Sequence, residues 1–251
     1  MKNIFFRGIA IFALVSLTGE VFGQVELTKE TTKEKKAKEK KEKAERGKDN
    51  ATSVFLTANW SSTTRKLVEN DGLFGKPLGE REFEKSSNAW SFELGFRNKI
   101  HKNISWEGGI SLMQNAEKYL FEGVDSTYSY KTKYMYIAMP VKIYYTYGES
   151  FKLLAGGGIV PQMFLGYKQD IEYTNSINET TTEEVKTKIG YSPFVLSAVV
   201  NIGTQIKLGG NWSFLFVPEY KIQLTTSNDK NSAYKHFGRS LGFNFGLIMD
   251  L

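Results

Sequence analysis

The segment Trp90-Ser-Phe-Glu-Leu-Gly-Phe-Arg97 alternates between bulky apolar residues and small or charged ones. This period of two residues is typical of a β-strand, because successive side chains of a strand point to opposite faces of the sheet. One face of the strand would be wholly apolar and would carry Trp90, Phe92, Leu94 and Phe96. The segment therefore predicts a strand that separates an apolar environment from a polar one.

The same alternation recurs along the chain from residue 53 onward. It predicts eight strands, at 53–64, 88–98, 103–114, 133–147, 151–166, 190–206, 211–225 and 237–251. Each is long enough for the ~9–11 residues that a tilted strand needs to cross a bilayer. The segments between them alternate between long polar loops and tight turns, as in outer-membrane barrels. We therefore predict an all-β fold, an eight-stranded antiparallel up-and-down transmembrane β-barrel.

Alternation alone does not say which face of the barrel points outward. A soluble barrel of the lipocalin or streptavidin type has the opposite arrangement, with its apolar face inside. In this sequence that arrangement would force many Trp and Phe side chains into a narrow eight-stranded interior. We therefore predict that the apolar face contacts lipid. Phe92, Phe214 and Phe245 are expected near the middle of the membrane, and Phe214 should be the most sensitive to a charge.

The N-terminal residues predict export from the cytoplasm. Residues 1–23 combine a basic start, an apolar stretch from Gly8 to Leu17 and a cleavage site before Gln24, which is the pattern of a signal peptide. Residues 24–50 are rich in Lys and Glu and predict a charged periplasmic tail or linker. Residues 51–251 would form the barrel. We predict a Gram-negative outer-membrane location, with the signal peptide cleaved near Gly23/Gln24.

Composition excludes several classes of function. The sequence has no Cys, which excludes disulfides, thiolate metal sites and cysteine nucleophiles. The net charge of +6 is carried mostly by the N-terminal part, since residues 51–251 contain 21 Lys or Arg against 19 Asp or Glu. No clustered basic patch with interleaved aromatic residues is present, so nucleic acid is not a predicted partner.

The sequence has only two His residues, and neither predicts a catalytic site. His101 is followed two residues later by Asn103, and His236 by Gly238, so neither strand pattern supplies a hydroxyl for a histidine base to activate. His236 falls in the last predicted outer loop, with Asp229 nearby, and is expected to be a loop residue that is either hydrogen-bonded within the protein or solvated. We predict that the protein is not an enzyme and has no catalytic, cofactor-binding or metal-binding residues.

Several charged residues fall on the polar face of the predicted strands and should point into the lumen. The predicted charge network consists of Glu93, Arg97, Glu107, Lys142, Glu219 and Lys221, and Lys152, Lys207 and Asp250 share the same face. Buried charges cost several kcal/mol unless they are paired, so opposite signs should form salt bridges across the lumen. We predict a salt-bridge plug, and a narrow ion path is the alternative.

The stretch Tyr134-Met-Tyr-Ile-Ala-Met-Pro-Val-Lys-Ile-Tyr-Tyr145 resembles a motif of the Bacteroidetes outer-membrane β-barrel domain family, the PorT-like barrels. The following Gly-rich segment Leu153–Val160 and the preceding segment Ile104–Leu112 are also similar to that family. The resemblance covers residues 51–251 and implies a barrel, with protein secretion and gliding as the setting of PorT itself. Pro140 lacks a backbone donor and is expected at a bulge or bend.

These observations together predict an outer-membrane β-barrel protein with a non-catalytic structural, surface-interaction or secretion-accessory role. The alternatives are a narrow pore for small solutes and, third, an outer-membrane lipid-modifying enzyme. No cofactor is expected. The predicted partners are outer-membrane lipid and an envelope protein that the sequence does not identify.

Overall fold

The computed structural model describes residues 52–69 and 82–251 of the protein. The predicted signal peptide at 1–23 and the predicted charged tail at 24–50 lie outside these residues. Within the described ranges, no helix is long and apolar enough to cross a membrane.

Ten antiparallel strands make up the described chain. They are β1 (Thr52–Glu69), β2 (Glu84–His101), β3 (Ile104–Glu122), β4 (Thr127–Ala138), β5 (Val141–Gly148), β6 (Phe151–Thr174), β7 (Thr180–Thr187), β8 (Phe194–Gly209), β9 (Trp212–Gln223) and β10 (Tyr234–Asp250). Strands β4 and β5 follow one another along the same position of the wall, and β7 pairs only with the upper part of β6. The wall is therefore a ring of eight strands, as predicted.

The ring is closed because β1 pairs with β2 on one side and with β10 on the other. Following the paired residues once around the wall from Val54 leads back to β1 at Thr64, ten residues further along the strand. For eight strands, this stagger corresponds to a strand tilt of roughly 40°. Such a barrel is just wide enough for side chains to fill its interior.

The apolar face of the strands points outward and the polar face points inward. Leu56, Ile110 and Ile202 are 60%, 64% and 70% exposed, whereas polar residues next to them on the same strands, such as Ser111 and Asn201, are buried. A soluble barrel has the opposite arrangement, so this alternative is wrong for this chain.

The outward apolar residues form a continuous band around the barrel. The band covers residues 53–62, 89–98, 104–113, 137–147, 152–162, 196–205, 213–222 and 240–249. About ten residues per strand at this tilt span roughly 25 Å, which is the height of the apolar band in outer-membrane barrels. We refer to these ranges as the membrane-spanning segments. The short turns lie at one end of the barrel, called the short-turn end, and the longer connections lie at the long-loop end.

The strands continue beyond the membrane at the long-loop end, where the sequence predicted loops. Residues 115–132 were predicted as a loop, but β3 continues to Glu122 and β4 begins at Thr127. The predicted loop at 167–189 contains the end of β6 and all of β7, and β10 already begins at Tyr234. These segments are rich in Tyr and Thr, which favour strands, but their polar character on both faces hides the alternation. The three loop predictions were therefore too long.

Pro140 interrupts the ladders without a bulge, so of the two predicted alternatives, a bulge or a bend, the bulge is wrong. Ser111 pairs with Ala138 and Gly108 with Val141, and these two pairs keep the same register on either side of the proline. The bulge lies instead in the neighbouring strand β6, at Leu165. The proline removes one backbone donor, and β4 and β5 are separate strands only for that reason.

Phe92 and Phe214 lie on the same outer face at different depths. Phe92 occupies the centre of the outward run Trp90–Phe96 of β2, whereas Phe214 is two residues from Trp212, where β9 begins at the short-turn end. Phe214 therefore lies near the short-turn end of the band and not at its middle, and this depth favours Phe92 as the position more sensitive to a charge.

Replacing Phe92 with Arg should lower the free energy of unfolding by ~2–4 kcal/mol, because the charge would lie near the middle of the bilayer. The matched change Phe214→Arg should lower the free energy of unfolding by only ~0–1 kcal/mol, because the charge would lie nearer the interface. Urea titration of the barrel refolded into lipid vesicles measures both. Equal losses, or a larger loss at Phe214, would contradict this depth assignment.

Candidate functional site

The lumen contains a charged group at mid-membrane height. Lys142 of β5 places its Nζ 2.9 Å from Glu93 Oε2 of β2 and 3.9 Å from Glu219 Oε2 of β9. Asn201 and Asn244 donate side-chain hydrogen bonds to the same oxygen of Glu219, at 2.9 and 3.0 Å. Three strands that are far apart in the sequence thus converge on one cation. We call this set the central cluster.

Lys221 behaves differently from the other predicted members of the network. Its side chain points into the lumen and is buried. It makes no ion pair within 4 Å to any residue that the structure describes. The structure therefore places Lys221 beside the central cluster but does not pair it directly.

A second charged group lies closer to the short-turn end. Arg97 of β2 donates from Nε to Glu107 Oε1 of β3 at 2.6 Å and from Nη1 to Gln205 Oε1 of β8 at 2.8 Å. Its guanidinium carbon also lies 5.2 Å from the ring centre of Tyr144. Arg97 and Glu107 are both buried, so the pair is shielded from water. Arg97 therefore links the adjacent strands β2 and β3 to β8 on the opposite side of the lumen.

Two apolar clusters fill most of the remaining lumen. One lies between the central cluster and the short-turn end and consists of Phe55, Tyr144, Leu154, Leu215, Val217 and Ile248. The other lies toward the long-loop end and consists of Met113, Tyr134, Tyr136, Ala138, Val160, Val195 and Val199. Charged and apolar layers therefore alternate along the barrel axis. The alternation of residues in the sequence predicted only the charged layers.

A third charged group lies just above the membrane-spanning segments at the long-loop end. Glu117 Oε1 accepts hydrogen bonds from Arg65 Nη1 at 2.9 Å and from the Tyr134 hydroxyl at 2.6 Å. Its other oxygen lies 3.3 Å from His236 Nε2. Arg65 also donates to Glu84 at 2.8 Å. We call these residues the upper cluster.

His236 lies on a strand and not in the predicted loop, and of the two predicted alternatives the structure shows the hydrogen-bonded histidine and not the solvated one. It lies on β10, points into the lumen and is only 4% exposed. Glu117, its partner, is 119 positions away in the sequence, so no local pattern could pair the two. The sequence did contain one indication of the inward position of His236. Alternation along β10 puts it on the same face as Ser240 and Asn244. Among the residues that the structure describes, its Nδ1 has no hydrogen-bond partner.

The surroundings of Glu117 favour its ionised form. Burial by itself would raise the pKa of this carboxyl, but the hydrogen bond and charge of His236, together with Arg65 and Tyr134, outweigh burial and lower it. The negative charge of Glu117 is therefore part of the folded state near neutral pH.

Aromatic side chains close the lumen beside the upper cluster. Ring centres in this group are 4.9–5.8 Å apart, and its members are Tyr134, Tyr136, Phe164, Tyr167 and Tyr191. We call this group the aromatic cap. Tilted and edge-to-face ring contacts of this kind stabilise packing beyond simple burial. The cap is contributed by β4, β6 and the segment before β8, so it ties the long-loop end together.

Comparison with known proteins gives only distant matches. No protein-family model matches the sequence, and no curated protein matches it significantly. Among solved structures, the Neisserial surface protein NspA is 9% identical, with 80% of this chain and 97% of NspA covered and a TM-score of 0.43. OmpT, an outer membrane protease of Escherichia coli, is 9% identical, with coverages of 81% and 97% and a TM-score of 0.44. OprG of Pseudomonas aeruginosa is 10% identical, with coverages of 81% and 97% and a TM-score of 0.40.

These identities and TM-scores are low, so the matches support no argument about residues or activity. The fold assignment depends on the strand ladders and on the apolar exterior. By those two properties the chain is a β-barrel of the outer-membrane type. The resemblance to the PorT-like barrels stays a prediction.

Replacing Lys142 with Met should lower the free energy of unfolding by ~3–5 kcal/mol, because Glu93 and Glu219 would be left buried without their cation. The control is Lys168→Met, which removes an exposed lysine that bridges Asp170 and Glu184, and it should change stability little. Urea titration in vesicles measures both. If the two variants were equally stable, the central cluster would not be a structural element.

Replacing Glu117 with Gln should make the free energy of unfolding fall less steeply as the pH is lowered. A carboxyl whose pKa is lowered on folding stabilises the protein above its ordinary pKa of 4.5, and this contribution is lost as the pH falls through the lower folded value. The natural protein should therefore lose stability more steeply below about pH 4.5 than the Gln variant does. Urea midpoints between pH 7 and pH 3 test this, and parallel curves would contradict it.

Proposed function

We propose that this chain is a closed outer-membrane barrel with a non-catalytic role, in which the long-loop end is a surface for contact with another molecule. The observation that carries the proposal is the sheet formed above the membrane by the upper parts of β3, β4 and β6 together with β7. We call it the outer sheet. The lumen, in contrast, supports a structural role.

The location follows from the distribution of side chains. An apolar exterior of this height is stable in lipid, and a closed barrel leaves no unpaired strand edge inside the membrane. Short turns face the periplasm and longer connections face outward in outer-membrane barrels. The outer sheet would therefore project from the cell surface.

The alternative of a small-solute pore has less support. The central cluster, the Arg97–Glu107 pair, two apolar layers and the aromatic cap occupy successive heights of the lumen. An ion would have to displace paired and buried side chains at each height, which costs several kcal/mol at every charged pair. We therefore favour a plug over an ion path.

The outer sheet has the composition of a contact surface. Its inner face carries a group of aromatic rings whose centres are 5.1–6.2 Å apart, namely Phe83, Tyr119, Phe121, Tyr128 and Tyr130. Tyr173 continues this face on β6 and is 45% exposed. Tyr and Phe are enriched in protein interfaces because they bury large areas at low entropic cost. This favours a macromolecular partner over a small solute.

The secretion-accessory role is the finer alternative, and it comes only from the resemblance of the Tyr134–Tyr145 stretch to the PorT-like barrels.

A lipid-modifying activity would need a nucleophile near a base. The buried His236 has Glu117 and the ring of Tyr134 as its neighbours, at 3.3 Å and at 5.1 Å between ring centres. This arrangement favours a structural role for His236.

A photo-crosslinking amino acid placed at Tyr128 or Tyr173 should capture a discrete partner in intact cells, because both residues lie on the exposed part of the outer sheet. The matched control is the same amino acid at Tyr144, which is buried in the lumen. Adducts at Tyr128 and Tyr173 but not at Tyr144 would support the proposal. Adducts at no position, or equally at Tyr144, would contradict it.

Planar-bilayer recordings test the pore alternative on the same protein. We expect no discrete conductance steps from the natural chain. Steps of uniform size that disappear in a Lys142→Met variant would show an ion path through the central cluster, and would replace the plug with a pore.

A further inference from the structure

At the short-turn end, a cavity of about 90 Å³ opens between the ends of β1, β2, β3, β6 and β8. Three lysines line it: Lys99 from β2, Lys102 from the following turn and Lys152 from β6. Lys99 and Lys152 occupy inward positions of their strands, and both line the same cavity. The central cluster, the upper cluster and the outer sheet do not include these residues.

The charges of these three lysines are not neutralised within the described part of the chain. None of the three makes a salt bridge there. Asp250 is the single acidic residue of the lining, and its Oδ1 accepts a hydrogen bond from Ser53 at 2.6 Å. Arg97 also borders the cavity, but Glu107 already balances its charge. The lining therefore has two positive charges in excess.

A buried hydroxyl without a partner lies in the same cavity. Ser105 of β3 is 3% exposed, and its Oγ has no hydrogen-bond partner in residues 52–69 or 82–251. Buried polar groups are nearly always paired, and an unpaired one costs about 1–3 kcal/mol. Gln205, also in the lining, is 4% exposed and is held by Arg97. The lining thus combines a buried hydroxyl with three lysines, one of which, Lys99, is the cross-strand partner of Ser105.

We propose that this cavity binds a single phosphate group. Two excess positive charges match the charge of a phosphate dianion, and lysines bind phosphate as point charges around a small volume. The Ser105 hydroxyl can donate to one phosphate oxygen and would then have the partner it lacks. A flat apolar ligand would leave the lysines and this hydroxyl unpaired, so the chemistry of the lining selects an oxyanion.

The phosphate can come from a lipid headgroup or from a soluble phosphate ester. The proposal rests on the proposed function only for the assignment of this end to the periplasm. Binding itself does not depend on orientation or on the outer sheet. A negative binding result would thus leave the crosslinking experiment unaffected, and the reverse is also true.

Calorimetric titration of the full-length protein in a neutral detergent with inorganic phosphate tests the site. We expect saturable binding with one site per barrel. Lys99→Gln and Lys152→Gln should each weaken it about tenfold, and Ser105→Ala about fivefold without any change in charge. Lys168→Gln, at the opposite end of the barrel, is the matched control and should leave the affinity unchanged. Heat-modifiable migration of each variant checks that the barrel is intact.

The proposal is overturned if the natural chain shows no saturable binding, or if Lys168→Gln weakens binding as much as Lys152→Gln. Acetate binding as tightly as phosphate would also overturn it, because the cavity would then be a general anion site. Short-chain phosphatidylglycerol distinguishes the two sources. Binding tighter than inorganic phosphate assigns the site to a lipid headgroup, and equal or weaker binding assigns it to soluble phosphate, with the site supported in both cases.

Discussion

The hydrogen-bonded ladder between β1 and β10 is the interaction on which the rest of the structure depends. Inside lipid, each backbone N–H and C=O must be paired within the protein, since no water is present to satisfy it. Seventeen residue pairs from Ser53↔Asp250 to Glu69↔Tyr234 join the first strand to the last and leave no edge in the wall. Closure also fixes the stagger of ten residues between Val54 and Thr64, and with it the tilt and the width of the lumen.

The width of the lumen explains the chemistry of the interior. An eight-stranded barrel has room for side chains but not for a water-filled channel, so its inward charges lie in a poorly solvated space. Each buried charge then needs a partner from another strand, and Lys142 and Arg97 meet this need by reaching two or more wall segments each. The contacts of Lys142 with Glu93 and Glu219, and of Arg97 with Gln205, link strands that are not neighbours in the wall. At the short-turn end the pairing is incomplete, and the proposed phosphate site lies there.

The alternation of residues in the sequence predicted the strands of the barrel wall because every second residue within the membrane faces lipid and is apolar. Each outward residue there must tolerate lipid, so Trp90, Phe92 and Leu94 identify the outer face of their strand, and the recurrence of the same pattern along the chain gives the number of strands. Above the membrane both faces contact water, the contrast is lost, and β7 and the ends of β3 and β6 were predicted as loops. The same alternation also predicted which charged residues face the lumen, but not which residues they pair with. The pairing of Glu117 with His236 depends on the stagger of the closed barrel, which no single strand specifies.

The central claim is that the apolar face contacts lipid while the polar face fills a closed lumen. Spin labels at Leu56, Leu94 and Ile110 on the outer face, and at Ser91, Ser111 and Ser213 on the inner face, test it in vesicles through relaxation by oxygen and by a water-soluble nickel complex. Oxygen, which dissolves in lipid, should relax the three outer labels strongly, and the nickel complex should not. The inner labels should be shielded from lipid-dissolved oxygen. Outer labels that respond to the nickel complex as strongly as exposed loop labels do would contradict the membrane orientation of the barrel.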